Sequence, residues 1–290
     1  MEYRTLAPGQ RAQIWIGGPG IGQPELLFET DTMLIEAPNW SLDDAALYVN
    51  ADGLLWRLDL TSPEHGLVGI AFAGLPELNN DHVLDPDGEH IYLSAMDGHI
   101  YRGALSGGAV DKVSPEDGYW HFLHGVSPDG SRLAYVQIGD FADPGRLAVT
   151  EPHGPPTVVD TGRGHLDGPE WSPDGRWIYF NTESFTVEPG HAQLARIPDT
   201  GGSVERLVAS ATVDWFTHLS PDSQSAAYIA FPPGTLGHPA DLPVEVRVVA
   251  TSDWSTPLQR YPLFGGQGTL NVNSWSPDST RFAFVAYPIT

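Results

Sequence analysis

Short stretches in which apolar and polar residues alternate recur along the whole chain, each bounded by Gly, Pro, Asp or Ser. A period of two predicts half-buried β-strands joined by tight turns. One turn is repeated. Ser172-Pro173-Asp174-Gly175 precedes Arg176-Trp177-Ile178-Tyr179-Phe180, and Ser127-Pro128-Asp129-Gly130 precedes an equivalent strand. Related copies begin at Asp85, Ser220 and Ser276, and a degraded one at Ser41. In this turn Ser accepts from the backbone, Pro presets φ at the first corner, and Asp followed by Gly or Ser closes it. The six anchors are spaced by 44, 42, 45, 48 and 56 residues. Two more short strands fit before each next anchor, for example 193–197 and 203–208. Four strands per period of roughly 40–50 residues is the pattern of a propeller blade.

The two ends complement each other. After Ser276 there is room for two strands only, and before Ser41 lie two strands without an anchor, 13–16 and 25–28. The expectation is therefore all-β: one domain over residues 1–290, a six-bladed β-propeller of four-stranded antiparallel blades. Its last blade is closed by the amino-terminal strands in a two-plus-two arrangement, which leaves no open edge.

The Ser-Pro-Asp-Gly turns, each followed by an aromatic-rich strand, resemble the TolB-like (WD40-like, PD40) propeller repeats over nearly the whole chain. The resemblance implies a stand-alone bacterial propeller. The extra amino-terminal domain and export signal of TolB itself have no counterpart in the sequence, so its envelope role is not implied. Fold alone assigns no function.

Composition narrows the partners. The 14 basic residues face 37 acidic ones, a formal net charge of −23, and Lys112 is the one lysine. Such a field repels DNA, RNA and anionic membrane surfaces. The absence of Cys removes disulfides, thiol nucleophiles and thiolate-held metals. No apolar run reaches 18 residues, and Met1-Glu2-Tyr3-Arg4-Thr5 leads into no apolar signal segment, so a cytoplasmic location is expected. Expected partners are a small molecule, with neither nucleic acid nor membrane; a protein partner stays open.

Candidate chemistry lies just before the anchors, where the innermost strand of each blade lines the axial channel. The position directly preceding each anchor is apolar in all six copies: Trp40, Leu84, Val126, Trp171, Leu219 and Trp275. The positions before it carry Asn, Asp, Glu and His, which strand propensity disfavours. Polar groups from distant parts of the chain would thus converge at one mouth of the channel. The catalytic candidates are His82, His124, Asp167, Glu170 and His218, with imidazole and carboxylate serving as acid and base. His82, His124, His218 and Glu170 would also suit one divalent metal ion such as Mn²⁺, Fe²⁺, Zn²⁺ or Ni²⁺. Asn39, Asn80, Asp81, Trp120, His121, Asp214, Trp215, Gln267 and Asn271 are candidate ligand-binding residues. Aromatic faces beside acids and amides point to a carbohydrate. Ordered water in the channel explains any one of these residues equally well.

Around Gln267, glycines 265, 266 and 268 would permit close approach of backbone to ligand. The 231–241 insertion would form a lid or a partner-binding loop. His65, His90, His99, His153, His191 and His238 sit in turn-like sequence and are expected to be solvated. Two readings follow. One is binding of a small polar ligand, with lyase or hydrolase chemistry carried out on it, for which propeller-fold oligogalacturonate lyases with a His-held metal offer a fold-level analogy and no transferable motif. The other is a non-catalytic protein- or peptide-binding scaffold of the TolB type.

Overall fold

The structure is a computed structural model, and it describes residues 4–289. Two strands come first, β1 (Ala12–Gly17) and β2 (Glu25–Thr30). The first blade then runs β3 (Glu36–Trp40), β4 (Ala46–Ala51), β5 (Leu54–Asp59) and β6 (Leu67–Ile70). The second consists of β8 (Leu78–Leu84), β9 (His90–Ala95), β10 (Ile100–Ala104) and β11 (Gly108–Lys112), with the two-residue β7 (Phe72–Ala73) added in parallel outside β11. The third is β12 (Trp120–Val126), β13 (Leu133–Ile138), β14 (Arg146–Thr150) and β15 (Thr157–Val158). The fourth is β16 (Leu166–Trp171), β17 (Trp177–Thr182), β18 (Gln193–Pro198) and β19 (Glu205–Arg206). The fifth is β20 (Val213–Leu219), β21 (Ser225–Phe231), β22 (Leu242–Ala250) and the long β23 (Asp253–Gly265). In the sixth, β24 (Phe282–Ala286) pairs with β1, and β1 with β2.

The sixth blade differs from a regular four-stranded one. Its innermost position is taken by irregular chain at 266–275, tied to β24 through the Trp275–Phe282 bridge and a bond from Ala283 N to Ser274 O.

The anchors build the turns as their chemistry dictates. In the third blade Ser127 Oγ donates to Asp129 Oδ1 at 2.6 Å and accepts from Arg132 N at 2.9 Å. Ser41, Ser172, Ser220 and Ser276 use the same first bond. The fourth residue of all six turns has positive φ: Asp44, Gly88, Gly130, Gly175, Ser223 and Ser279. Turn geometry, rather than Gly itself, is what repeats.

The core is distributed between blades. Each junction has its own apolar cluster. Examples are Tyr48 and Leu55 with Ile91 and Leu93, Val136 with Trp171 and Ile178, and Val246 with Trp275 and Phe282. The ring is completed by Ile14 and Val285 against Trp40 and Leu47. Of the expected wedges, Trp40, Trp171, Leu219 and Trp275 are buried, while Leu84 and Val126 are half-buried.

Candidate functional site

Five inner strands share a defect that decides what faces the channel. β3, β8, β12, β16 and β20 each slip register against the next strand shortly before the anchor. Such bulges re-aim side chains. In three of them the residue four before the anchor, Ala37, Gly168 or Phe216, takes positive φ. Strict alternation therefore fails where the polar residues cluster.

The irregular blade-six segment folds across the channel as a plug. Gly268 O accepts from Ala37 N at 2.8 Å, Leu270 O faces His218 Nε2 at 3.0 Å and Asn271 O faces His124 Nδ1 at 3.3 Å. Gln267 Nε2 donates to Asn80 Oδ1 at 3.2 Å, and Asn273 Nδ2 to Glu170 Oε1 at 2.6 Å. The plug thus touches all five other blades. Gly268 is required by this packing, because a Cβ there would lie 2.4 Å from Tyr287 Oη and 2.6 Å from Glu36 Oε1.

Above the plug lies a cavity of about 340 Å³. Phe122, Val136, Ile138, Phe141 and Phe216 form an apolar wall, and Asn79, Asn80, Asp81, His124, His165, Asp167, His238, Gln267 and Asn271 a polar one. Asp167 is the hub. Its carboxylate lies 3.0 Å from His124 Nε2, 3.4 Å from His238 Nε2 and 3.8 Å from His165 Nε2. His165 Nδ1 accepts from Gly145 N at 2.9 Å, which leaves Nε2 as the proton-bearing nitrogen of its neutral ring. His238 Nδ1 bonds the Gln267 amide oxygen.

Electrostatics follows from burial and pairing. Burial alone would push Asp167 up, but bonds from His124, His165 and His238 hold it well below the ordinary carboxylate range. Burial opposes the charge on His124, yet Asp81 and Asp167 outweigh it and raise this imidazole to about 9. Asp81, 3.7 Å from His124 Nε2, is pushed up to about 6, chiefly by burial, with His124 opposing. Burial also lifts Glu36, against the pull of Arg4, to about 7. The mouth thus holds a carboxyl group poised near neutrality beside a charged imidazole.

Comparison with known proteins fits this architecture. No protein-family model matches the chain. An uncharacterized protein of Agrobacterium fabrum is 38% identical over 261 residues, 88% of this chain and 85% of that protein. A solved Agrobacterium tumefaciens structure bearing the provisional name TolB is 34% identical, covering 97% of this chain and 99% of that one, with a TM-score of 0.87. The chain belongs to the TolB-like propellers. Two solved structures share the fold at lower identity. TolB from Acinetobacter baumannii is 17% identical (TM-score 0.64; 89% of this chain, 64% of that one), and an oligogalacturonate lyase from Vibrio parahaemolyticus is 13% identical (TM-score 0.56; 87% and 72%).

Within this TolB-like propeller the expected site residues divide into three groups. Asn80, Asp81, His124, Asp167, Gln267 and Asn271 line the cavity. His82, Asn39, Glu170 and His218 are buried beside the plug. His82 Nδ1 pairs with Asn39 Oδ1 at 2.7 Å, and His218 Nδ1 with Glu170 Oε2 at 2.5 Å. Burial keeps His82 uncharged, its pKa pulled down to about 3. The third group serves local structure. His121 bonds Gly98 O and Asp117; Asp214 is held by Ser210, Thr212 and Gln193; and Trp120 stacks behind Phe122 and Phe141, outside the cavity wall. Trp215 is fully buried under His238, with ring centroids 4.5 Å apart.

The expected metal quartet does not fit. His82 pairs with Asn39, His124 with Asp167 and His218 with Glu170, so the three imidazoles face three separate partners, one of them the quartet's own carboxylate. Both nitrogens of His124 and of His218 face oxygen atoms. Among the described residues no group of three or more His, Asp or Glu side chains is arranged to hold a metal ion. The glycines near Gln267 serve the plug's own packing rather than a ligand's approach. His238, expected to be solvated, instead lines the cavity and lies 3.4 Å from Asp167. His165 carries no sequence signal beyond lying one position past the polar offsets considered.

Proposed function

We propose that the cavity binds a small polyhydroxylated ligand of the sugar or sugar-acid class, and that Asp81 and His124 supply acid–base chemistry of the lyase or hydrolase type. One observation carries this reading. A carboxyl group with a pKa near 6 and an imidazole charged up to about 9 meet at a cavity with an aromatic wall. Phe122, Phe141 and Phe216 offer faces for a sugar ring, while Asn80, Gln267 and Asn271 offer hydroxyl partners. Its size falls at the lower end of the roughly 300–1,000 Å³ usual for small-ligand sites. Asp81 would act as the base once ionised, and His124 would offset negative charge developing on the ligand. The likeness to the oligogalacturonate lyase supports the fold alone.

The test is a thermal-shift panel of neutral sugars and uronic acids. At least one class should raise the melting temperature, and the rise should vanish in Asp81→Asn and in His124→Gln, each measured against its own ligand-free baseline. Any turnover should fall off below about pH 6 and above about pH 9, the two limbs set by Asp81 and His124. A ligand response unchanged in both variants overturns the assignment.

A further inference from the structure

Two spaces meet at the mouth. Outside the inner cavity lies a wider recess of about 570 Å³, bordered by Glu183, Trp215, Leu236, Pro239 and Ala240. His165, His238 and Gln267 line both spaces. Beneath the inner cavity the plug spans the channel through its bonds to Ala37, His124 and His218. A ligand that spans both spaces would therefore have its end in the inner cavity.

The recess has features of a binding surface in its own right. Trp215 is one of the residues along it; its side chain is fully buried, and its Nε1 has no hydrogen-bond partner. Buried indole N–H groups normally find an acceptor, and a missing one points to a group that arrives from outside. The 232–241 strap roofs this point. Asp241 at its end is gripped by Arg4 at 2.8 Å and Gln10 at 2.6 Å, and His238 packs on Trp215 and Phe216. Leu236 at the tip is 70% exposed.

Resting on the sugar-class reading above, we infer that the ligand is the end of a chain of two or more units. The terminal unit occupies the inner cavity, the next lies in the recess against Trp215, and the linkage between them passes His165, His238 and Gln267. This explains why three polar side chains border both spaces while the apolar wall of Phe122, Val136 and Ile138 belongs to the inner one alone.

Calorimetric titration of the full chain with monomer, dimer and trimer tests this in two series, galacturonic acid and glucose (α-1,4-linked). In the series that binds, the dimer should bind about tenfold more tightly than the monomer, and the trimer within about threefold of the dimer. Ala240→Trp, which fills the recess, should erase the dimer's advantage and leave monomer affinity within about twofold. Trp215→Phe, which keeps an aromatic ring but removes the N–H, should weaken the dimer about fivefold and spare the monomer. Equal affinity for monomer and dimer overturns the second subsite and leaves the sugar pocket standing. A trimer that keeps gaining affinity overturns the two-unit limit. No binding by any member overturns both this inference and the sugar-class reading.

Discussion

Strand β16 supplies two carboxylates three residues apart, and each meets an imidazole from a neighbouring blade. Asp167 lies 3.0 Å from His124 and Glu170 lies 2.5 Å from His218. The chemistry is the same and the surroundings are not. Glu170 also accepts from Asn273 Nδ2 at 2.6 Å, and the far nitrogen of His218 faces Leu270 O at 3.0 Å, so the plug encloses the pair. Asp167 and His124 border the cavity, with Asp81, His165 and His238 close by and space above. An acid–imidazole pair becomes a candidate for chemistry when the fold leaves one of its faces open; when every face is covered it acts as a rivet.

The strongest way to break this comparison is to remove the rivet. Glu170→Ala leaves His218 buried without its carboxylate and Asn273 Nδ2 with Leu219 O alone as acceptor, and breaking such a buried pair costs about 3–5 kcal/mol. Urea unfolding should show that loss, while the folded fraction keeps its ligand response. A loss under about 1 kcal/mol would show that the pair does not hold the plug.

The open pair is sharpened by pH. Asp81 is raised from 3.8 to about 6 in the fold, so its penalty on stability builds as pH climbs through that interval. His124 is raised from 6.5 to about 9, so its contribution is complete below 6.5 and disappears as pH climbs through 9. Asp81→Asn should flatten the first decline and His124→Gln the second, each by about 3 kcal/mol. His82, kept neutral down to about pH 3, works in the opposite direction below 6.5. The steps are therefore read as differences between wild type and variant in pH-dependent melting. Curves that run parallel would place Asp81 and His124 among the rivets.

The propeller was legible because its turns are local chemistry repeated six times, down to the positive φ at the fourth residue of each. The site was legible in part. Asp81, His124 and Asp167 stood out because they defy strand propensity, and they do line the cavity. His121 and Asp214 stood out for the same reason and face elsewhere, because a bulge reverses the alternation that would have predicted their side. His238 was beyond the reach of any repeat argument. It belongs to an insertion, and only the folded strap, tied down through Asp241, brings it to Asp167. The metal quartet failed for a related reason: shared offsets place residues on the same ring of the channel but do not aim their nitrogens at one point.

The smallest effect concerns the residue that parts the two pairs. Gly168 sits between Asp167 and Glu170 at φ 62°, where a Cβ would lie 3.1 Å from the Phe216 ring and 3.2 Å from Asn181 Oδ1. That oxygen accepts from Phe216 N, so the bulges of β16 and β20 lean on each other. Ala37 and Phe216 adopt the same left-handed backbone at the same offset without being glycine, which shows that the fold tolerates the strain. Gly168→Ala should therefore cost only about 1–2 kcal/mol in urea unfolding. Its effect on ligand binding should be larger than that cost suggests. Asp167, bonded at one side to the Gly168 amide at 2.8 Å, would shift relative to His124, whereas Glu170 is pinned independently by His218 and Asn273. Titrating the variant with the best ligand of the thermal-shift panel separates the two effects. Wild-type affinity would mean that the bulge does not set the open pair's geometry, and that the plug alone distinguishes the two regions.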